Sequence, residues 1–162
     1  MMEKYFKRIL VAINGTTSSI QAVQYAIVLA KNYQLELHAV FVVDTTTLKQ
    51  LTLNKFFIEE ESDGYEKALT ADGEKYLDFA KKLGSAKGVS VHTHLVEGAV
   101  WSEVVSLAEQ EDVQLIILGE SRRQKAAKDA SISPTYKQIM ANASCSVLFA
   151  NDPDIESVYD GL

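Results

Sequence analysis

Arg122, Arg123, Lys125 and Lys128 crowd one short segment of a chain whose formal net charge is −6. Guanidinium groups grip phosphate or carboxylate oxygens through two parallel N–H donors, so this cluster is a candidate anion site; a solvated basic loop is the plainer alternative. His92 and His94 stand two apart and would share one face of a strand, where they could offer two imidazoles to a metal. No further ligand stands near them in sequence, so the pair reads as part of a solvated edge strand and no metal is assigned. His38, alone in an apolar run, reads as a packed residue. Cys145 has neither a sequence-near base nor a cationic helix start and reads as a packed thiol, and Trp101 belongs to an apolar helical stripe.

Familiar catalytic and cofactor motifs are missing. The turn Asn14-Gly15-Thr16-Thr17-Ser18-Ser19 holds one glycine, where a dinucleotide fold needs three to bring backbone against a pyrophosphate. Neither a G-x-x-x-x-G-K-[ST] phosphate loop nor a G-x-S-x-G nucleophile elbow is present. No acid, base and nucleophile converge in the pattern, so no catalytic residue is assigned and the chain is expected not to be an enzyme.

The elements that must position these residues alternate. Ile9 to Ile13 is a short, branched apolar run ending at Asn14-Gly15, as in a strand buried on both faces. Ile20, Val23, Ile27 and Ala30 then recur at helical spacing behind N-cap candidates Thr16 to Ser19. Leu35 to Val43 is a second strand. Thr45 to Ser62 lacks clean periodicity and reads as a lid or partner-facing loop, before a long helix from about Glu61 to Leu83 closed by Gly84. The alternation of Val89, Val91, Thr93 and Leu95 with polar residues predicts an edge strand. Trp101, Val104, Val105 and Ala108 trace a helix, Val113 to Leu118 a buried strand, Ser133-Pro134 a capped helix start running to about Asn142, and Cys145 to Ala150 the last strand.

Five strands alternating with four helices predict an open α/β domain, a parallel sheet covered on both faces. In such sheets ligands bind beyond the carboxyl ends of strands where the winding reverses, which puts Asn14-Gly15 and Gly119 on one crevice and the basic cluster at its mouth. The sequence has 162 residues, a size that suits one domain, taken as residues 1–151 with an acidic, mobile tail over 152–162. Its acidity, with a sequence pI near 5.1, argues against nucleic acid as a partner. A single cysteine and the absence of a long apolar run predict a cytoplasmic chain with no membrane insertion.

Three stretches carry a resemblance. Arg8-Ile9-Leu10-Val11-Ala12-Ile13-Asn14-Gly15 with Ser18-Ser19, then Glu97-Gly98 through Leu118-Gly119, and Ala143-Ser144-Cys145-Ser146-Val147-Leu148-Phe149 together resemble the universal stress protein family over roughly Tyr5 to Asn151. The resemblance implies a Rossmann-like sheet of order 3-2-1-4-5 and a homodimer paired along the last strands, through Val147, Leu148 and Phe149. ATP-binding members look like G-x2-G-x9-G-[ST] after strand four. Here Gly119 is kept, the second glycine position is Arg122, and the Gly-Ser position falls at Ile132-Ser133 or Ser133-Pro134. Asn14 stands where the family has an aspartate, and Gln114 where an acidic residue is usual. The nucleotide- or anion-binding candidates that follow are Ala12, Asn14, Gly15, Val42, Gly119, Ser121, Arg122, Arg123, Lys125 and Ser133. Side chains in place of glycine block close phosphate approach, so the expected protein is a regulatory stress-response binder of a protein partner or small anionic ligand, without ATP held in the family's manner. The alternative is an ATP or AMP switch in which Arg122, Arg123 and Lys125 replace the lost glycine amides.

Overall fold

A computed structural model of the chain describes residues 3–120 and 132–162. Five parallel strands form one sheet in the order β3-β2-β1-β4-β5: β1 is Arg8–Ile13, β2 Glu36–Val43, β3 Val91–Glu97, β4 Leu115–Gly119 and β5 Ser146–Ala150. The strand most apolar in sequence is the central one. Ile9, Leu10 and Val11 of β1 are wholly buried, with Leu37, Val40, Ile116 and Ile117 beside them.

Two apolar layers cover the sheet. On one face, Ile9, Val11 and Ile13 pack with Ala22, Val23, Ala26 and Ile27 of α1 (Thr17–Tyr33) and with Leu77 and Ala80 of α3 (Glu59–Ser85). On the other, Leu10, Val40, Ile116 and Leu118 meet Val104, Leu107 and Ala108 of α4 (Val100–Gln110) and Ile139 of α5 (Pro134–Asn142). Successive β1 residues feed opposite layers, as the pleat requires.

Helix starts follow their caps. Thr16 accepts from Ser19 N–H at the head of α1, and Ser133 accepts from Tyr136 N–H at the head of α5, where Pro134 fills the first turn. Glu59, Glu60 and Glu61 open α3 and complement its dipole.

Three expectations need correction. Thr45 to Ser62 is not one loop: Asp44 caps a helix, α2 (Thr45–Leu53), by accepting from Thr47 N–H, and α3 begins at Glu59. Gly84 does not end its helix. It lies within α3, where a Cβ would press on Val89 O and Val91 Cγ2, each 2.6 Å away, so a glycine is needed for the helix to lie close to the chain entering β3. Residues 152–162, expected to be mobile, instead form α6 (Ile155–Asp160), with Ile155 3% and Tyr159 6% exposed. The Tyr159 hydroxyl donates to Leu83 O at 2.7 Å and Lys87 Nζ sits over its ring, so this acidic helix is held by one buried face. Among the described residues no helix is long and apolar enough to cross a membrane.

Candidate functional site

The candidate site lies where the chain leaves β1 and β4 side by side, Leu10 facing Ile116 and Val11 facing Ile117. Asn14 closes β1. Its side-chain oxygen accepts from Thr16 N–H at 3.1 Å and from the Thr16 hydroxyl at 2.6 Å, so that oxygen is spent building the turn into α1. Gly15 follows at φ +82°, a conformation natural only to glycine, and the Tyr76 ring of α3 lies where its Cβ would be, 2.9 Å from Cε2. Tyr76 is itself stacked on Phe41 of β2, centroids 6.2 Å apart and planes 12° from parallel.

Gly119 ends β4 against the first turn of α1. A Cβ there would collide with the Ser18 carbonyl and lie 2.8 Å from Ser19 N. Tyr136 of α5 closes the same corner from the opposite side: its hydroxyl donates to Gly119 O at 2.9 Å and its ring packs 5.8 Å from Phe149. Burial, then the charge of Glu120, pushes the Tyr136 phenol up to about 12, so it remains a donor at neutral pH.

The structure therefore brings Asn14, Gly15 and Gly119 to one place around Ser18. Ala12 and Val42, half-buried, pack against the α4 and α5 layer, as do Val96, Val100 and Trp101. Ser133 Oγ is occupied by its own helix start, at 3.2 Å from Tyr136 N. Ser121, Arg122, Arg123 and Lys125 lie outside the described residues. Gln114 is a strand pin: its Oε1 accepts from both Lys7 N and Arg8 N at 2.9 Å, which sets where β1 begins. Sequence reasoning missed Tyr76 and Tyr136. The second could have been read from its place three residues inside a Ser-Pro helix start.

Val147, Leu148 and Phe149 are half-buried on β5, which among the described residues pairs with β4 alone. Cys145 is partly buried, and burial pushes its thiol up, away from thiolate chemistry. The histidines are more closely associated than their spacing suggests. His38, 4% exposed, is in register with His92, and its ring stacks on both His92 and His94, at centroid distances of 4.9 and 5.2 Å. Burial, then the His38 charge, holds His94 below its ordinary value. Among the described residues no group of three or more His, Cys, Asp or Glu stands arranged to hold a metal ion.

The universal stress protein family profile matches residues 5–151. A universal stress protein of Methanocaldococcus jannaschii is 27% identical over 154 residues, 95% of this chain and 87% of its own length. The universal stress protein YxiE of Bacillus subtilis is 30% identical over 145 residues, 88% of this chain and 97% of its own. Among solved structures, the hypothetical protein MJ0577 superposes with a TM-score of 0.74 at 19% identity, covering 92% of this chain and 98% of that one. A universal stress protein in complex with cAMP reaches 0.64 at 16% identity, over 91% of this chain and 99% of that one. One from Archaeoglobus fulgidus in complex with dAMP reaches 0.59 at 12%, over 90% and 97%. With the 3-2-1-4-5 sheet and a matching relative at 30% identity along most of both chains, this protein belongs to the universal stress protein family.

Proposed function

We propose that this chain is a cytosolic, non-enzymatic regulatory member of its family, acting by binding a partner or small anionic ligand rather than by holding ATP in the family's manner. The observation that carries this reading is the packing of Gly119. The turn after β4 is pressed onto the Ser18–Ser19 backbone and its carbonyl is engaged by the Tyr136 hydroxyl, which leaves that glycine a packing role in place of a phosphate-facing one. Ser133, at the family's Gly-Ser position, is committed to capping α5, and Pro134 removes an N–H from that helix start. Family membership supports the non-enzymatic part, as does the absence of any acid, base and nucleophile constellation in the sequence.

A second reading is favoured by the relatives solved with cAMP and dAMP: a nucleotide switch using Arg122, Arg123 and Lys125 as phosphate contacts. Calorimetric titration with ATP, AMP and cAMP separates the two. The first reading expects no saturable heat at millimolar nucleotide and no phosphate release from ATP. Micromolar affinity that collapses in Arg122→Ala overturns it in favour of the switch, and sustained phosphate release overturns both.

A further inference from the structure

We infer that the groove between the residues leading into β1 and the end of α1 binds an amphipathic monocarboxylate, a molecule with an alkyl chain of the fatty-acid type and one anionic head. The groove exists because one corner of the sheet is left open. On the α1 face Val11 and Ile117 are wholly buried, whereas Leu115 of β4 and Leu148 of β5, on that same face, are only half-buried. The chain after β5 turns to α6, which packs on α1 and reaches Leu83 of α3 through the Tyr159 hydroxyl. The two leucines are left lining a cavity of about 510 Å3.

The rest of the lining is apolar apart from one charge. Leu29 and Tyr33 of α1 contribute to it, together with Leu35 and the edge-to-face pair of Tyr5 and Phe6, whose ring centroids are 5.0 Å apart. Tyr5 is 74%, Tyr33 64% and Phe6 46% exposed, so three aromatic rings around one cavity stand in water, and a ligand gains by covering them. Small-molecule pockets have this character: a volume of about 300–1,000 Å3, apolar walls and few polar groups to fix orientation. Here the charged group is Lys4, which makes no ion pair among the described residues. Its neighbour Glu3 is engaged by Lys7 and does not compete for it. These features select the occupant. A polyphosphate would find one cation among hydrocarbon walls, and a wholly apolar molecule would leave that cation unused, whereas a carboxylate on an alkyl chain suits both. An exposed ammonium–carboxylate pair adds little affinity, so Lys4 orients the head while the buried chain supplies the binding.

The groove lies before β1 begins and the Asn14–Gly119 corner after it ends, roughly 20 Å apart along the six residues of that strand, so the inference does not rest on either reading of that corner. The test is calorimetric titration of the full chain, free of any N-terminal tag, with octanoate, decanoate and dodecanoate below their micelle-forming concentrations. Expected is saturable binding of one molecule per chain that tightens roughly 10-fold for each two carbons added, the gain from burying two further methylenes. Tyr33→Ser, at an exposed position, should weaken decanoate at least ~5-fold. Lys4→Ala, also exposed, should weaken decanoate ~2–5-fold and leave decanol unchanged. In the unmodified chain, nuclear Overhauser contacts should join the decanoate chain to the Leu115 and Leu148 methyl groups, a readout that depends on no variant. No saturable binding at millimolar dodecanoate, affinity that is flat with chain length, or contacts to other leucines instead would each overturn the site. So would affinity that falls as protein concentration rises, which would make a second copy of the chain the occupant of the groove.

Discussion

Gly119 is the most tightly enclosed of the glycines. Any side chain there must push α1 off the sheet or bend β4, because the obstacle is backbone and not the end of a flexible side chain. Gly119→Ala is expected to lower unfolding free energy by about 3 kcal/mol in urea titration, the upper range for overpacking. An unchanged midpoint would show that the corner has slack and would remove the basis for its packing role. The meeting of Asn14, Gly15 and Gly119 was legible in sequence, because it needs only that β1 and β4 be neighbours. The histidine cluster was not. Its members are 56 residues apart, as His38 and His94 show, and what joins them is cross-strand register, which no local spacing encodes. Tyr76 escaped for the same reason, reaching Gly15 from a helix far along the chain.

At the scale of elements, the ordinary signals served the strands and the capped helices. The two elements that sequence reasoning misjudged are those whose composition points elsewhere. In α2, Thr45, Thr46 and Thr47 have low helix propensity, and the helix is held by the Asp44 cap and buried Leu48. Around α6, four acidic residues from Asp152 to Asp160 mask Ile155 and Tyr159, which stand four apart and so share one helical face. Tyr159→Ala should cost about 3–5 kcal/mol, from lost aromatic burial together with the bond to Leu83, measured by thermal or urea unfolding. A loss below about 1 kcal/mol, the range of surface substitutions, would mean that α6 is only loosely laid on α1 and α3.

The whole molecule presents two sheet edges that differ in kind. The β3 edge carries exposed His92 and Glu97, polar groups that discourage strand addition, whereas β5 offers the half-buried run Val147, Leu148 and Phe149 on a strand that pairs, among the described residues, only with β4. Association through β5 is therefore the expected outcome, and sedimentation equilibrium should return twice the 17.9 kDa chain mass. A particle of single-chain mass at micromolar concentration would refute it.

The ring that shields Gly15 belongs to a rod. Tyr76 stands in a 27-residue helix, roughly 40 Å from end to end, whose far end bears Tyr65 stacked on Phe57. Any side chain placed at Gly15 has to displace the Tyr76 ring, and with it the stack that ties this long helix to Phe41 of β2.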